Sequence, residues 1–174
     1  MNTILIILAV LVVLVLVLNF AMGKEMSVER KVIINQPSDQ VFAYLRLTRN
    51  QDAFSKWNMS DPNKKVEGVG TDGQVGFIYR WDSELKQAGA GEQEIIGMEE
   101  GKSITYALRF KRPMENNANA KFLIAPAGAG QTEVTWRFYG PTKFPMRLFS
   151  PLIMNMLGKD MEQSLGNLKN ILKG

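Results

Sequence analysis

Between residues 152 and 172 the apolar side chains Ile153, Leu157, Met161, Leu165, Leu168 and Leu172 recur at steps of four and three. In a helix that spacing places them on one face. Asn155, Lys159, Asp160, Glu162, Gln163, Asn167 and Lys169 fall mostly on the other side. A chain with one such element must also supply an apolar surface for it to cover, and this requirement restricts the fold more than any other feature. Pro151 suits the first turn, where its missing N–H is an orphan anyway, and Ser150 is the expected N-cap. At the other end Lys173 and then Gly174 supply cationic charge and a breaker. Gly158 and Gly166 lie inside the helix, each at a cost of about 0.5–1 kcal/mol relative to Ala. They point to close backbone approach or to space beneath the helix; simple packing is the alternative.

The surface comes from a run of alternating segments. In residues 26–34, Val28, Arg30, Val32 and Ile34 alternate imperfectly with Glu29, Lys31 and Ile33. Residues 35–39 read as a turn opening a helix with Val41, Phe42, Tyr44 and Leu45 on its apolar face. A second short helical piece spans residues 50–57, and residues 59–63 break the chain. Residues 73–81 put Val75, Phe77, Tyr79 and Trp81 on one face. Residues 91–99 are a less regular strand. Residues 102–111 group Ile104, Tyr106, Leu108 and Phe110; residues 119–125 group Ala120, Phe122 and Ile124; residues 131–139 group Thr132, Val134, Trp136 and Phe138. One-sided alternation with short turns predicts an antiparallel meander with one covered face, hence an α+β domain whose inner face the C-terminal helix covers.

Ahead of this domain, residues 4–18 are unbroken aliphatic, and up to Met22 only Asn19 interrupts. At about 1.5 Å per residue such a helix reaches roughly 28 Å, close to the hydrocarbon thickness of a bilayer. The expectation is one N-terminal transmembrane helix over residues 4–22. Ala21-Met22-Gly23 offers a small-x-small cleavage site, but no Lys or Arg precedes the run. Lys24, Arg30 and Lys31 follow it, so the positive-inside rule predicts a single-pass membrane protein with its domain in the cytoplasm; an extracytoplasmic domain is the alternative.

The chain carries a net charge of +4 with no run of four basic residues, which suits an anionic membrane surface better than nucleic acid. It has no Cys and no His. Disulfides, thiolate chemistry and imidazole-based triads are excluded, and nearly all zinc sites with them. No metal and no cofactor is expected. The hexapeptide GVGTDG (68–73) matches G-x-G-x-x-G, but it opens a strand rather than a helix, so it reads as a turn. Asn58-Met-Ser60 is a glycosylation sequon of a kind common by chance. Asp61, Asp72, Glu92 and Glu94 have no pairing spacing and are expected in ion pairs with Arg80, Arg109 or Arg137, or solvated.

The order of strand, two short helices, antiparallel strands and long final helix resembles the helix-grip fold of the START-like (SRPBCC) superfamily, which includes polyketide cyclase/dehydrase and lipid-transport proteins. The residues that carry the resemblance are VERKVIINQPSDQVFAYL (28–45), FSKWNMSDPN (54–63), GQVGFIYRW (73–81) with GEQEI (91–95), ITYALRFKRP (104–113) and GKDMEQSLGNLKNIL (158–172). It divides the chain into a transmembrane anchor, 1–23, and a START-like ligand-binding domain, 24–174. It implies a curved sheet gripping the long helix, with a hydrophobic cavity between them.

The candidate ligand-binding residues are Trp57, Tyr79, Trp81, Tyr106, Phe110, Phe122, Trp136 and Phe138, with Met161 and Leu165 from the helix. Ligand pockets are mostly apolar with few polar groups, so these residues suit a pocket wall as well as they suit a solid core. If buried, the phenols and indoles need hydrogen-bond partners, and a ligand oxygen would be one. Residues 139–150 mix apolar and basic side chains, fitting a membrane-surface contact, a pocket lip or a buried connection. Three functions stay open: binding of a hydrophobic small molecule or lipid, a polyketide cyclase/dehydratase-like enzyme, or a protein-interaction module with a filled core. The enzyme needs a positioned acid or base, and no spacing selects among Tyr79, Tyr106, Glu94, Asp61 and Arg109, so no catalytic residue is assigned.

Overall fold

A computed structural model describes residues 2–21 and 23–173 of the chain; within the first helix it describes the side chains of residues 3–15 and 17. The expected cleavage motif at Met22 and the breaker Gly174 lie outside the described residues. The elements are α1 (Asn2–Ala21), β1 (Glu25–Ile34), α2 (Ser38–Leu45), a 3-10 turn (Thr48–Asn50), α3 (Gln51–Phe54), α4 (Lys56–Met59), β2 (Lys65–Val69), β3 (Ile78–Asp82), β4 (Ala90–Glu99), β5 (Ser103–Arg112), β6 (Asn116–Gly128), β7 (Gln131–Pro141), a second 3-10 turn (Met146–Phe149) and α5 (Ser150–Ile171).

The strands form one 7-stranded sheet in the order β1-β7-β6-β5-β4-β3-β2, with every neighbouring pair antiparallel. Strands β2 to β7 follow one another as a meander, and β1 docks on the far edge of β7, from Glu25 opposite Pro141 to Ile34 opposite Thr132. Register shifts at Ala90/Gly91 and Ile95/Gly97 bend β4, as bulges do, and the sheet curves around α5 in the helix-grip arrangement. After β7 and the second 3-10 turn, α5 returns across β1, its main sheet contact. Ile34, Ile95, Ile104, Tyr106, Phe122 and Val134 of the sheet are fully buried in one core with Val41 and Leu45 of α2, Phe54 of α3 and Met161, Leu165 and Leu168 of α5.

Several expectations change. The strand expected over residues 73–81 starts at Ile78: Gly73 and Gly76 have positive φ (81° and 91°), and Phe77 N donates to Gln74 O at 3.1 Å, so residues 73–77 are a turn. Phe77 and Tyr79 are buried, but Val75 is exposed. β2 was not expected; it is an edge strand exposed along nearly its whole length, so no apolar alternation marks it. Ser150 lies in the first turn of α5 rather than capping it: its Oγ donates back to Arg147 O at 2.6 Å, and no side chain caps the helix.

The transmembrane assignment is corrected. Among the described residues no helix is long and apolar enough to cross a membrane. Helix α1 forms where the aliphatic run predicts it, over Asn2–Ala21. The single-pass topology and the cytoplasmic orientation derived from it fall together.

Candidate functional site

A cavity of about 270 Å³ lies inside the sheet. Its floor is the inner face of β3 to β7, where alternation brings Tyr79 and Trp81, Gln93, then Tyr106, Leu108 and Phe110, then Ala120 and Phe122, then Trp136 and Phe138 to one side. Gln51 of α3, Ser55, and Trp57 and Asn58 of α4 close it from above, Lys64 and the β3–β4 loop residues Gln87 and Ala88 stand at one end, and Arg112 and Pro113 at another. Helix α5 contributes Leu157 alone.

All eight aromatic residues named from the sequence are therefore on this wall, and Met161 and Leu165 are not. Both are 0–1% exposed and fill the space between α5 and the sheet. The helical period that picked them out identifies the buried face but not which turn meets the cavity. Ring geometry holds the wall together. Phe122 stacks on Trp136 at 5.0 Å, and Trp57 meets Trp136 edge-on at 5.6 Å. Trp81 meets Phe110 edge-on at 6.0 Å. Gly91 makes the last pair possible, since a Cβ there would stand 2.7 Å from the Trp81 ring and 2.6 Å from Arg109 O.

Most of the wall's polar atoms have protein partners. Tyr79 OH donates to both carboxylate oxygens of Asp52 at 2.8 Å. Lys64 Nζ pairs with the same carboxylate at 3.1 Å and donates to Asn58 O at 2.7 Å. Asn58 Nδ2 donates to Asp52 Oδ1 at 3.0 Å, so the sequon side chain is engaged in the fold. Trp57 Nε1 donates to Asp160 at 3.2 Å, Trp81 Nε1 to Ala88 O at 3.1 Å, and Tyr106 OH to Leu45 O at a long 3.4 Å. Burial, and then the Asp52 hydrogen bond, push the Tyr79 phenol well above its ordinary range. Burial does the same to Tyr106, opposed by the neighbouring Thr48 and Gln51, neither of which reaches hydrogen-bonding geometry with it. Thr48 Oγ1, Gln51 Nε2 and Trp136 Nε1 are buried without a hydrogen-bond partner among the described residues.

The acids weighed from the sequence lie elsewhere. Glu92 and Glu94 pair with Arg109 at 3.0 and 2.6 Å, and Glu92 also with Arg80 at 3.3 Å. Asp61 accepts from Ser83 Oγ and from Asn63 N. Asp72 accepts from the backbone N–H groups of Thr48, Arg49 and Gly73, which ties the GVGTDG turn to the 3-10 turn Thr48–Asn50. Residues 139–150 do not line the cavity; Phe144 and Phe149 are exposed, and the turn Met146–Phe149 meets α1.

Sequence reasoning missed Gln51, Asn58, Lys64, Gln93 and Arg112. Leu108 and Ala120 carried a signal, since they share the alternating faces of Tyr106 and Phe122. Gln51, Asn58 and Lys64 sit in short helices and a turn, where no period announces which side chain faces inward.

The family described as polyketide cyclase/dehydrase and lipid transport matches residues 25–173. No curated protein matches the sequence. Among solved structures, MLL2253 from Mesorhizobium loti is 15% identical with a TM-score of 0.62, covering 84% of this chain and 96% of that chain. The hypothetical protein jhp0584 from Helicobacter pylori is 11% identical with a TM-score of 0.63, covering 85% and 88%. CalU16 from Micromonospora echinospora is 12% identical with a TM-score of 0.58, covering 87% and 77%. At these identities the likeness is one of fold.

Proposed function

We propose, from the premise that this chain belongs to the polyketide cyclase/dehydrase and lipid transport family of the START-like superfamily, that residues 24–174 bind a hydrophobic small molecule or lipid in the cavity of the sheet. The observation that carries the reading is a cavity of about 270 Å³ whose wall is built largely of aromatic and aliphatic side chains. The driving force is burial of apolar ligand surface. At about 25 cal/mol per Å², covering about 200 Å² contributes about 5 kcal/mol before the cost of association is subtracted.

Binding is favoured over acid–base turnover by what the wall holds. Among the described residues no carboxylate lines the cavity. The two phenols that do are raised by burial, so neither gives up its proton readily near neutral pH. Native mass spectrometry of the whole chain, with extraction of apolar compounds, tests the reading. A co-purified apolar mass, or saturable uptake of Nile red, is the expected result. Ala120, 4% exposed and on the wall, gives the control: Ala120→Leu fills the cavity, lowers Nile red affinity about tenfold or more, and leaves the melting temperature within a few degrees. An empty chain that takes up no dye overturns the binding reading in favour of an interaction module.

A further inference from the structure

The cavity wall contains two neutral hydrogen-bond donors that no described residue meets. Trp136 Nε1 and Gln51 Nε2 are both buried without partners among the described residues, and both residues are 4% exposed and line the cavity. The contrast with the rest of the wall is informative. The indoles of Trp57 and Trp81 and the phenols of Tyr79 and Tyr106 each find a protein acceptor. Buried N–H groups are almost always paired, because leaving one unmet forfeits its hydration with nothing in return. Two such donors on one apolar wall are therefore the groups that distinguish one apolar ligand from another.

Resting on the reading of the cavity as a binding site, we infer that the ligand carries a neutral acceptor oxygen of the carbonyl type (ketone, ester or amide), which takes its hydrogen bonds from Trp136 Nε1 and Gln51 Nε2. The acceptor is neutral because the cations on the wall are already engaged: Lys64 pairs with Asp52 at 3.1 Å, and Arg112 pairs with Asp82. A carboxylate beside Trp136 and Gln51 would meet two neutral donors and no free positive charge, and the desolvation of an anion is not offset by that. A pure hydrocarbon would leave both donors unmet and gain only its area.

The test uses two three-ring probes of the same shape, fluorene and fluorenone, which differ by one carbonyl oxygen. Titrated into the whole chain, fluorenone binds about tenfold or more tighter than fluorene. Trp136→Phe and Gln51→Leu, which remove the donors and keep apolar bulk, each reduce the ratio of fluorenone to fluorene affinity severalfold. The carbonyl stretch of bound fluorenone lies at lower frequency than in cyclohexane, and this readout needs no variant. Fluorene-9-carboxylate binds more weakly than fluorenone. Equal affinity for fluorene and fluorenone, an unshifted carbonyl band, or a preference that survives both substitutions overturns the inference while leaving the cavity a binding site. Tighter binding of the carboxylate overturns the neutral acceptor. Failure of all three probes to bind overturns the binding-site reading together with the inference.

Discussion

Gly158 and Gly166 occupy the same helix and have opposite surroundings. A Cβ on Gly158 would run into the guanidinium of Arg30, whose Nε reaches Glu162 at 2.6 Å. A Cβ on Gly166 meets nothing within 4 Å. Gly166→Ala therefore gains helix propensity without a steric cost and raises stability by about 0.5–1 kcal/mol, read as a higher denaturant midpoint. Gly158→Ala gains less, because Arg30 must move and its pair with Glu162 is disturbed. Glu92 gives a prediction in pH. Burial raises its carboxyl, but the hydrogen bonds from Arg109 and Arg80, with Lys111 nearby, outweigh that and hold it below its ordinary value of 4.5. In acid the unfolded chain takes up this proton before the folded one does. The stabilisation is thus complete above about pH 4.5 and is lost as pH falls through the lower folded value. Thermal melts of Glu92→Gln against the parent between pH 3 and 7, taken as roughly the carboxylate window, show a shallower acid limb for the variant.

At the scale of elements, α3 and α4 are too short to persist alone and are held by α5. Lys56 N donates to Ser164 Oγ at 2.9 Å, Ser164 Oγ donates to Asp160 O at 2.7 Å, and Asn167 Nδ2 donates to Phe54 O at 3.1 Å. Ser164 is fully buried, so Ser164→Ala strands the Lys56 N–H and costs about 1–3 kcal/mol by denaturant titration. It also loosens α4, which carries Trp57. This latch was not legible in the sequence: Ser164 sits beside the apolar stripe with nothing to mark its partner. β5, β6 and β7 were legible because one face of each is covered, so Tyr106, Phe122 and Trp136 stand in register with their neighbours. β2 was not, since Val66 and Val69 are exposed on an edge where burial demands no pattern. α1 was legible as a helix, and the aliphatic count alone carried the expectation of a span.

For the molecule as a whole, core and wall divide along α5. Met161 and Leu165 pack solidly, whereas Leu157, one turn earlier, faces the cavity. Leu165→Ala is expected to cost about 2–5 kcal/mol of stability. Fluorescence titration with Nile red, well below the melting transition, should give an affinity for that variant within about twofold of the parent. A larger loss would return Leu165 to the wall. The aromatic half of the site could be read from the sequence because alternation sends every second residue inward. The polar half could not, because Gln51, Asn58 and Lys64 come into place only when the short helices settle over a finished sheet. That dependence has a consequence in time. β1 is made first, yet its partner β7 follows about a hundred residues later. On the ribosome, where chain emerges at about 5–20 residues per second, the first strand spends seconds with both edges unpaired, and α5, which crosses it, comes later still. These pairings of β1 with β7 and with α5 are non-local, which slows folding, and they make the waiting strand a segment of the nascent polypeptide for a chaperone to shield.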